Sequence, residues 1–220
     1  MTRQRIPETD HGIQGEITVA EYDQMQRILR DRGWIETKAL VDSGITQGHV
    51  LEIGYGPGYL GLEWLKHTRD TILTGLDISP DMQVLAGRNA QSYGLAERVQ
   101  YRLGNCDSLP FEDCTFDAVF TNGSLHEWAN PSGAFDEIWR VLKPGGRYFI
   151  SDLRRDMNPL MYWFLWLGTR PVSIRPGLKT SIDAAYTPKE LSGLIGSSCL
   201  KEGKVTGDII GLSVVGVKPG

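Results

Sequence analysis

The stretch VLEIGYGPGYLGLEW, residues 50–64, runs from a short apolar segment into three glycines at alternate positions, Gly54, Gly56 and Gly58, and then into a helical pattern. A strand that feeds such a turn and a helix leaves backbone N–H groups and a helix N-terminus facing a crevice at the carboxyl end of a sheet. With no Cβ in the way, a nucleotide-like ligand can approach closely. Asp77 ends the next strand, in LTGLDIS, at the distance where a carboxylate accepts hydrogen bonds from both hydroxyls of a ribose. On these residues alone, a purely structural turn and a capping aspartate beside Ser79 stay open as alternatives. A dinucleotide fits less well, because its turn runs G-x-G-x-x-G and here the third glycine follows in G-x-G-x-G. Glu52, two residues before the turn, would repel a pyrophosphate and attract a ligand ammonium, directly or through water.

Outward from this stretch the apolar period switches repeatedly between two and helical. HVLEIG, TILTGLDI, RVQYRLG, FDAVFTN and GRYFISDL read as strands. YLGLEWLKHT, SPDMQVLAGRNAQSYG and NPSGAFDEIWRVL read as helices, the second capped by Ser79 with Pro80 at its first position. KPGG, residues 143–146, forces a turn ahead of the last of those strands. The alternation predicts an α/β fold, a doubly wound and mostly parallel sheet covered on both faces. Ahead of it, residues 18–45 carry apolar side chains at helical spacing, with Thr18 placed as a cap and Gly33 as an interruption. After it, MNPLMYWFLWLG is aromatic-rich and TRPVSIRPGLKTSID has the proline and glycine density of a loop. TPKELSGLIGSS predicts a helix capped by Thr187, and LKEGKVTG and IIGLSVVGVK are strands joined too closely for a crossover helix, so the sheet should end in an antiparallel hairpin. The expected organisation is one domain with an N-terminal helical cap (1–45), a core (46–153), an insertion (154–185) and a C-terminal helix and hairpin (186–220).

A chain of 220 residues suits one such domain. Its net charge of −4 gives no electrostatic footprint for nucleic acid. No apolar run reaches the roughly 18 residues of a membrane span, and the N-terminus lacks the apolar centre of a secretion signal, so a cytoplasmic location is expected. Three cysteines, Cys106, Cys114 and Cys199, fit neither a disulfide framework nor a tetrahedral zinc site, and no metal site is expected. Monomer and homodimer both fit.

Four pieces in order, VLEIGYGPGYL, GLDIS, GNCDSLPFEDCTFDAVF and VLKPGG, make residues 48–153 resemble the class I S-adenosylmethionine-dependent methyltransferases, in the small-molecule branch with the ubiquinone and menaquinone methyltransferases. The resemblance implies a seven-stranded Rossmann-like sheet with an antiparallel last strand, S-adenosylmethionine as cofactor and S-adenosylhomocysteine as product. It places Glu52 near the methionine ammonium, Gly54, Tyr55, Gly56 and Gly58 at the turn beneath the cofactor, and Asp77 on the ribose hydroxyls. Ile78 and Met82 would flank the adenine. Asn105, Cys106 and Asp107 would lie at its edge, Asn105 standing where the family commonly has aspartate. Asn122 and Gly123 would touch the methionine end.

Methyl transfer from an activated sulfonium asks the protein chiefly to align an acceptor, exclude water and remove any proton. In TNGSLHEW, residues 121–128, His126 is the candidate general base because an ordinary imidazole titrates near 6.5. A histidine that merely packs there is the alternative. Glu127, Trp128 and Asp152 are neighbours at the same edge, while His11, His49 and His67 have no constellation. The acceptor is expected to be a small molecule selected by residues 18–45 and 154–185, and PLMYWFLWL suits a lid over an apolar or aromatic acceptor, a dimer contact or a peripheral membrane contact. Arg154, Arg155, Arg170 and Arg175 around it suit an anionic acceptor as an alternative. The competing functions are a catalytically silent S-adenosylmethionine-binding module, an NAD-dependent oxidoreductase and a metalloid methyltransferase using the cysteines.

Overall fold

In LEIGYG the hydrophobic period of two gives a strand buried on both faces, and the computed structural model, which describes residues 4–8 and 15–220, places it in the middle of the sheet. The strands are β1 (His49–Ile53), β2 (Ile72–Asp77), β3 (Val99–Leu103), β4 (Phe116–Asn122), β5 (Leu142–Leu153), β6 (Lys204–Gly207) and β7 (Gly211–Val217). Their order is β3-β2-β1-β4-β5-β7-β6. The first five run parallel, whereas β7 is antiparallel to both β5 and β6, so the expected hairpin is present. Between β1 and β4 the winding reverses, and the carboxyl ends of β1, β2 and β4 open there into one crevice.

The helices are α1 (Glu16–Asp31), α2 (Thr37–Asp42), α3 (Tyr59–Lys66), α4 (Pro80–Ser92), α5 (Pro131–Val141), α6 (Pro159–Gly168), α7 (Arg175–Ala184) and α8 (Pro188–Gly196). Alternation along β1 splits the core. Leu51 and Ile53 join one cluster with Phe135, Ile138 and Leu191, and Val50 joins the other with Leu40, Trp64, Leu65 and Phe120. Trp64 is fully buried, and its indole N–H donates to the Ile45 carbonyl at 2.7 Å, so the polar end of the ring carries no desolvation debt.

Ser79 caps α4 by accepting from the Met82 N–H, and Thr187 with Glu190 forms a full capping box on α8. Three local expectations are corrected. Thr18 caps nothing: α1 begins after Gly15, whose φ of +92° lets the chain enter the helix three residues earlier. KPGG is not a turn between helix and strand but an irregularity within β5, where the register jumps from Phe116 opposite Leu142 to Ala118 opposite Arg147. Residues 175–184 form α7 rather than a loop, because Pro176 sits in the first turn, where its missing N–H costs nothing.

Candidate active site

At the winding reversal lies a cleft, open at its mouth. The glycine turn forms its floor. Gly54, Gly56 and Gly58 all have positive φ, +70°, +51° and +83°. A Cβ on Gly54 would stand 2.7 Å from the Ser124 Cβ, so this position excludes other residues twice over, by conformation and by space. Gly54→Ala is therefore expected to lower folding stability by roughly 1–2 kcal/mol or more, read as a lower melting temperature, and to narrow the cleft.

Asp77 ends β2 at the rim of that turn. Its carboxylate accepts from the backbone N–H groups of Gly56 and Ser79, each at 2.9 Å. Burial raises its pKa, and the N–H groups of Ser79, Gly56 and Ile78 oppose the rise by favouring the anion. Ile78, Met82, Asn105, Cys106, Asp107 and Gly123 also line the cleft. Asn105 already turns its side-chain oxygen to the Asp107 N–H at 3.0 Å. Cys106 is a buried thiol whose pKa burial pushes up to about 12, so it stays protonated. Cys114 and Cys199 lie elsewhere on the surface, and among the described residues no cysteine belongs to a cluster of three ligand-type side chains.

The remaining expected residues sit behind the walls. Gly58 caps α3 and Asn122 donates to the Ser151 hydroxyl at 2.8 Å. Tyr55 packs its ring on Tyr101, centroids 4.6 Å apart. Glu52 points the other way from the cleft-lining Ile53, against α3, where a Cβ on Gly61 would strike its Oε2. It is 2% exposed, Oε2 has no hydrogen-bond partner, and burial raises its pKa well above the usual carboxylate range, against the pull of the Gly61 N–H. Its unpartnered Oε2 is therefore a buried acceptor beneath the turn. His11 lies outside the described residues.

His126 is the largest departure. It is 5% exposed and does not line the cleft. Its backbone N–H donates to Asp152 at 2.8 Å, and its Nδ1 lies 2.9 and 3.0 Å from the two Asp152 oxygens. Nε2 faces Glu8 at 3.4 Å and Glu127 at 3.8 Å. Burial alone would favour neutral imidazole, but Asp152, Glu127 and Glu8 together outweigh it and raise the pKa to about 9. The surrounding carboxylates thus favour the protonated ring, and as placed the imidazole stands behind the cleft wall. Glu8, His126 and Glu127 bring ligand-type atoms within 4.8 Å of one another, an arrangement satisfied by one imidazolium between carboxylates.

The residues that do face the open space, and that sequence reading left in supporting roles, are Tyr22, Glu127 and Trp128. Tyr22 comes from α1, where its spacing marked it only as an apolar position; its hydroxyl accepts from Gln26 at 2.9 Å. Trp128 is held edge-on by Phe135, centroids 6.0 Å apart. Burial raises the Glu127 pKa to about 7; His126 opposes the shift, and Glu8, Asp77 and Asp152 add to it.

Residues 51–150 match a family model described as a methyltransferase domain. The ubiquinone/menaquinone biosynthesis C-methyltransferase of Geotalea daltonii is 28% identical over 158 residues, covering 69% of this chain and 67% of that protein. The demethylmenaquinone methyltransferase of Lactiplantibacillus plantarum is 31% identical over 157 residues, covering 69% and 66%. The protein is a class I S-adenosylmethionine-dependent methyltransferase. The fold agrees: a crystal structure of a putative S-adenosylmethionine-dependent methyltransferase from Methanococcus maripaludis superposes with a TM-score of 0.75 at 21% identity, covering 100% of this chain and 98% of the other. The methyltransferase thus takes S-adenosylmethionine as methyl donor and a small molecule as acceptor. No helix among the described residues is long and apolar enough to cross a membrane.

The coupling of His126 to three carboxylates has a stability consequence. Folded His126 keeps its proton up to about 9, whereas an ordinary histidine loses it near 6.5. Its contribution is complete below the lower value and is lost as pH rises through the higher one. Melting temperature is expected to fall between pH 7 and pH 9.5, and His126→Asn should flatten that slope.

Proposed function

We propose that Asp77 binds the ribose hydroxyls of S-adenosylmethionine above the turn of Gly54, Tyr55, Gly56 and Gly58. Ile78 and Met82 enclose the adenine, Asn105, Cys106 and Asp107 meet its edge, and Gly123 borders the methionine end with Asn122 supporting it. The observation that carries this reading is the Asp77 carboxylate, anchored by two backbone N–H groups at the rim of a turn built on three glycines with positive φ. S-adenosylmethionine supplies a methyl group already activated on a sulfonium.

On the acceptor side, Trp128 and Tyr22 offer an aromatic and an amphipathic wall, and Glu127 is the carboxylate between them. An aromatic hydroxyl compound fits this set, and the names of the relatives point to a quinol. An acceptor carbon that gains the methyl group gives up a proton, so overall the sulfonium charge leaves the site as that proton. Glu127, with a pKa near neutrality, is matched to receiving it. His126 becomes a positioning residue: held by Asp152, it presents its charge to Glu127 and fixes where that carboxylate lies. We read the chain as a single catalytic unit, with the described part of residues 1–45 contributing Tyr22 and Glu8 to the acceptor side.

Calorimetric titration tests the cofactor assignment. S-adenosylmethionine is expected to bind and NAD not to. Tight NAD binding without S-adenosylmethionine binding would overturn the reading, and binding without turnover of any quinol would leave only the silent binding module.

A further inference from the structure

Helix α6 carries an apolar stripe that nothing in the described chain covers. Leu160, Trp163, Phe164 and Leu167 stand at i, i+3, i+4 and i+7, one face of the helix, and are 80%, 56%, 58% and 60% exposed. Val172, in the short helical turn that follows, is 57% exposed. A contiguous apolar face of this kind marks an interaction surface. None of the five residues lines the cleft, so as placed they do not form a lid.

The charges beside the stripe say what the surface meets. Arg154 and Arg155, in the same segment, are neutralised by Asp156 and Glu190. Arg170 and Arg175, at the end of the stripe, instead donate to the carbonyls of Leu167 and Thr169, and among the described residues neither pairs with a carboxylate. A short helix with Trp, Phe and Leu on one face, followed by Arg170 in its connection and Arg175 at the start of α7, has the make-up of a segment that lies in a lipid interface.

We propose that this face docks on a bilayer containing anionic lipid, with the stripe at the acyl boundary and Arg170 and Arg175 at headgroup phosphates. Helix α6 follows the carboxyl end of β5, and α7 packs against the Leu125–Glu127 turn, so docking brings the acceptor side of the cleft close to lipid, where an apolar acceptor dissolves. The proposal does not rest on the identity of the acceptor, since binding is read without turnover.

The test is co-sedimentation of the full chain with mixed phosphatidylglycerol and phosphatidylcholine vesicles, compared with phosphatidylcholine alone. Retention is expected on the mixed vesicles, with affinity for pure phosphatidylcholine ~10- to 30-fold weaker. The double substitution Trp163→Ser with Phe164→Ser should weaken retention about tenfold or more. Arg170→Gln with Arg175→Gln should reduce it to the phosphatidylcholine level. Unchanged melting temperature and S-adenosylmethionine affinity in both variants show that the fold is intact. Absence of retention on mixed vesicles, or retention that either variant leaves unchanged, overturns the proposal. So does a wild-type dimer in sedimentation velocity that the Trp163→Ser and Phe164→Ser pair dissociates.

Discussion

Asp77→Ala is expected to weaken S-adenosylmethionine binding at least ~100-fold, because under the proposed assignment it removes two charge-assisted hydrogen bonds to the ribose, each contributing roughly 1.5–3 kcal/mol. The same carboxylate holds the Gly56 and Ser79 N–H groups, so the alanine variant also loosens the turn. Asp77→Asn separates the two effects. It keeps one of the two accepting oxygens and loses the charge, so it should lose less melting temperature than the alanine variant and still bind S-adenosylmethionine poorly. Calorimetry on both variants, with thermal melting as a control for folding, decides the matter. Wild-type affinity in a well-folded Asp77→Asn would remove Asp77 from the cofactor site.

Glu127→Gln is expected to slow methyl transfer to a reduced naphthoquinone lacking the ring methyl by about 100- to 1,000-fold, within the range of a lost general base, while S-adenosylmethionine affinity changes little. In the wild-type enzyme the rate should rise with pH through about 7, where Glu127 ionises, and fall again through about 9, where His126 loses the charge that positions it. These limbs belong to the coupled pair, and the neighbours that set them are Glu8 from the N-terminal segment, Asp77 from β2 and Asp152 from β5. In Glu127→Gln the acid limb near 7 should vanish. His126→Asn should keep that limb but displace it upward, because the cation that opposes the rise in the Glu127 pKa is gone. A Glu127→Gln variant that retained both the rate and the acid limb would show that the acceptor proton leaves by another route.

The contrast between Asp77 and His126 explains what was legible in the chain. Asp77 works through its own neighbours in sequence and through a turn of three glycines, and both are local properties that a strand-turn-helix spacing reveals. The sheet is similar: alternating apolar periods and the short connection between β6 and β7 fix parallel order and the antiparallel end without reference to distant contacts. Helix α7 was hidden because proline and glycine density marks a loop only when the proline falls outside a first helical turn.

The alternation of apolar periods along the chain, together with the four motifs from residue 50 to residue 146, therefore determined the fold and the class of cofactor, because backbone conformation and side-chain alternation are short-range. Which acidic or basic group faces the acceptor was decided only when the chain closed. Asp152 is 26 residues from His126 and Glu8 is more than a hundred away, yet their charges turn the imidazole into a buried cation and leave Glu127 at the cleft. Protonation state depends on the summed field of residues that tertiary packing brings together, and no spacing along the chain encodes that sum.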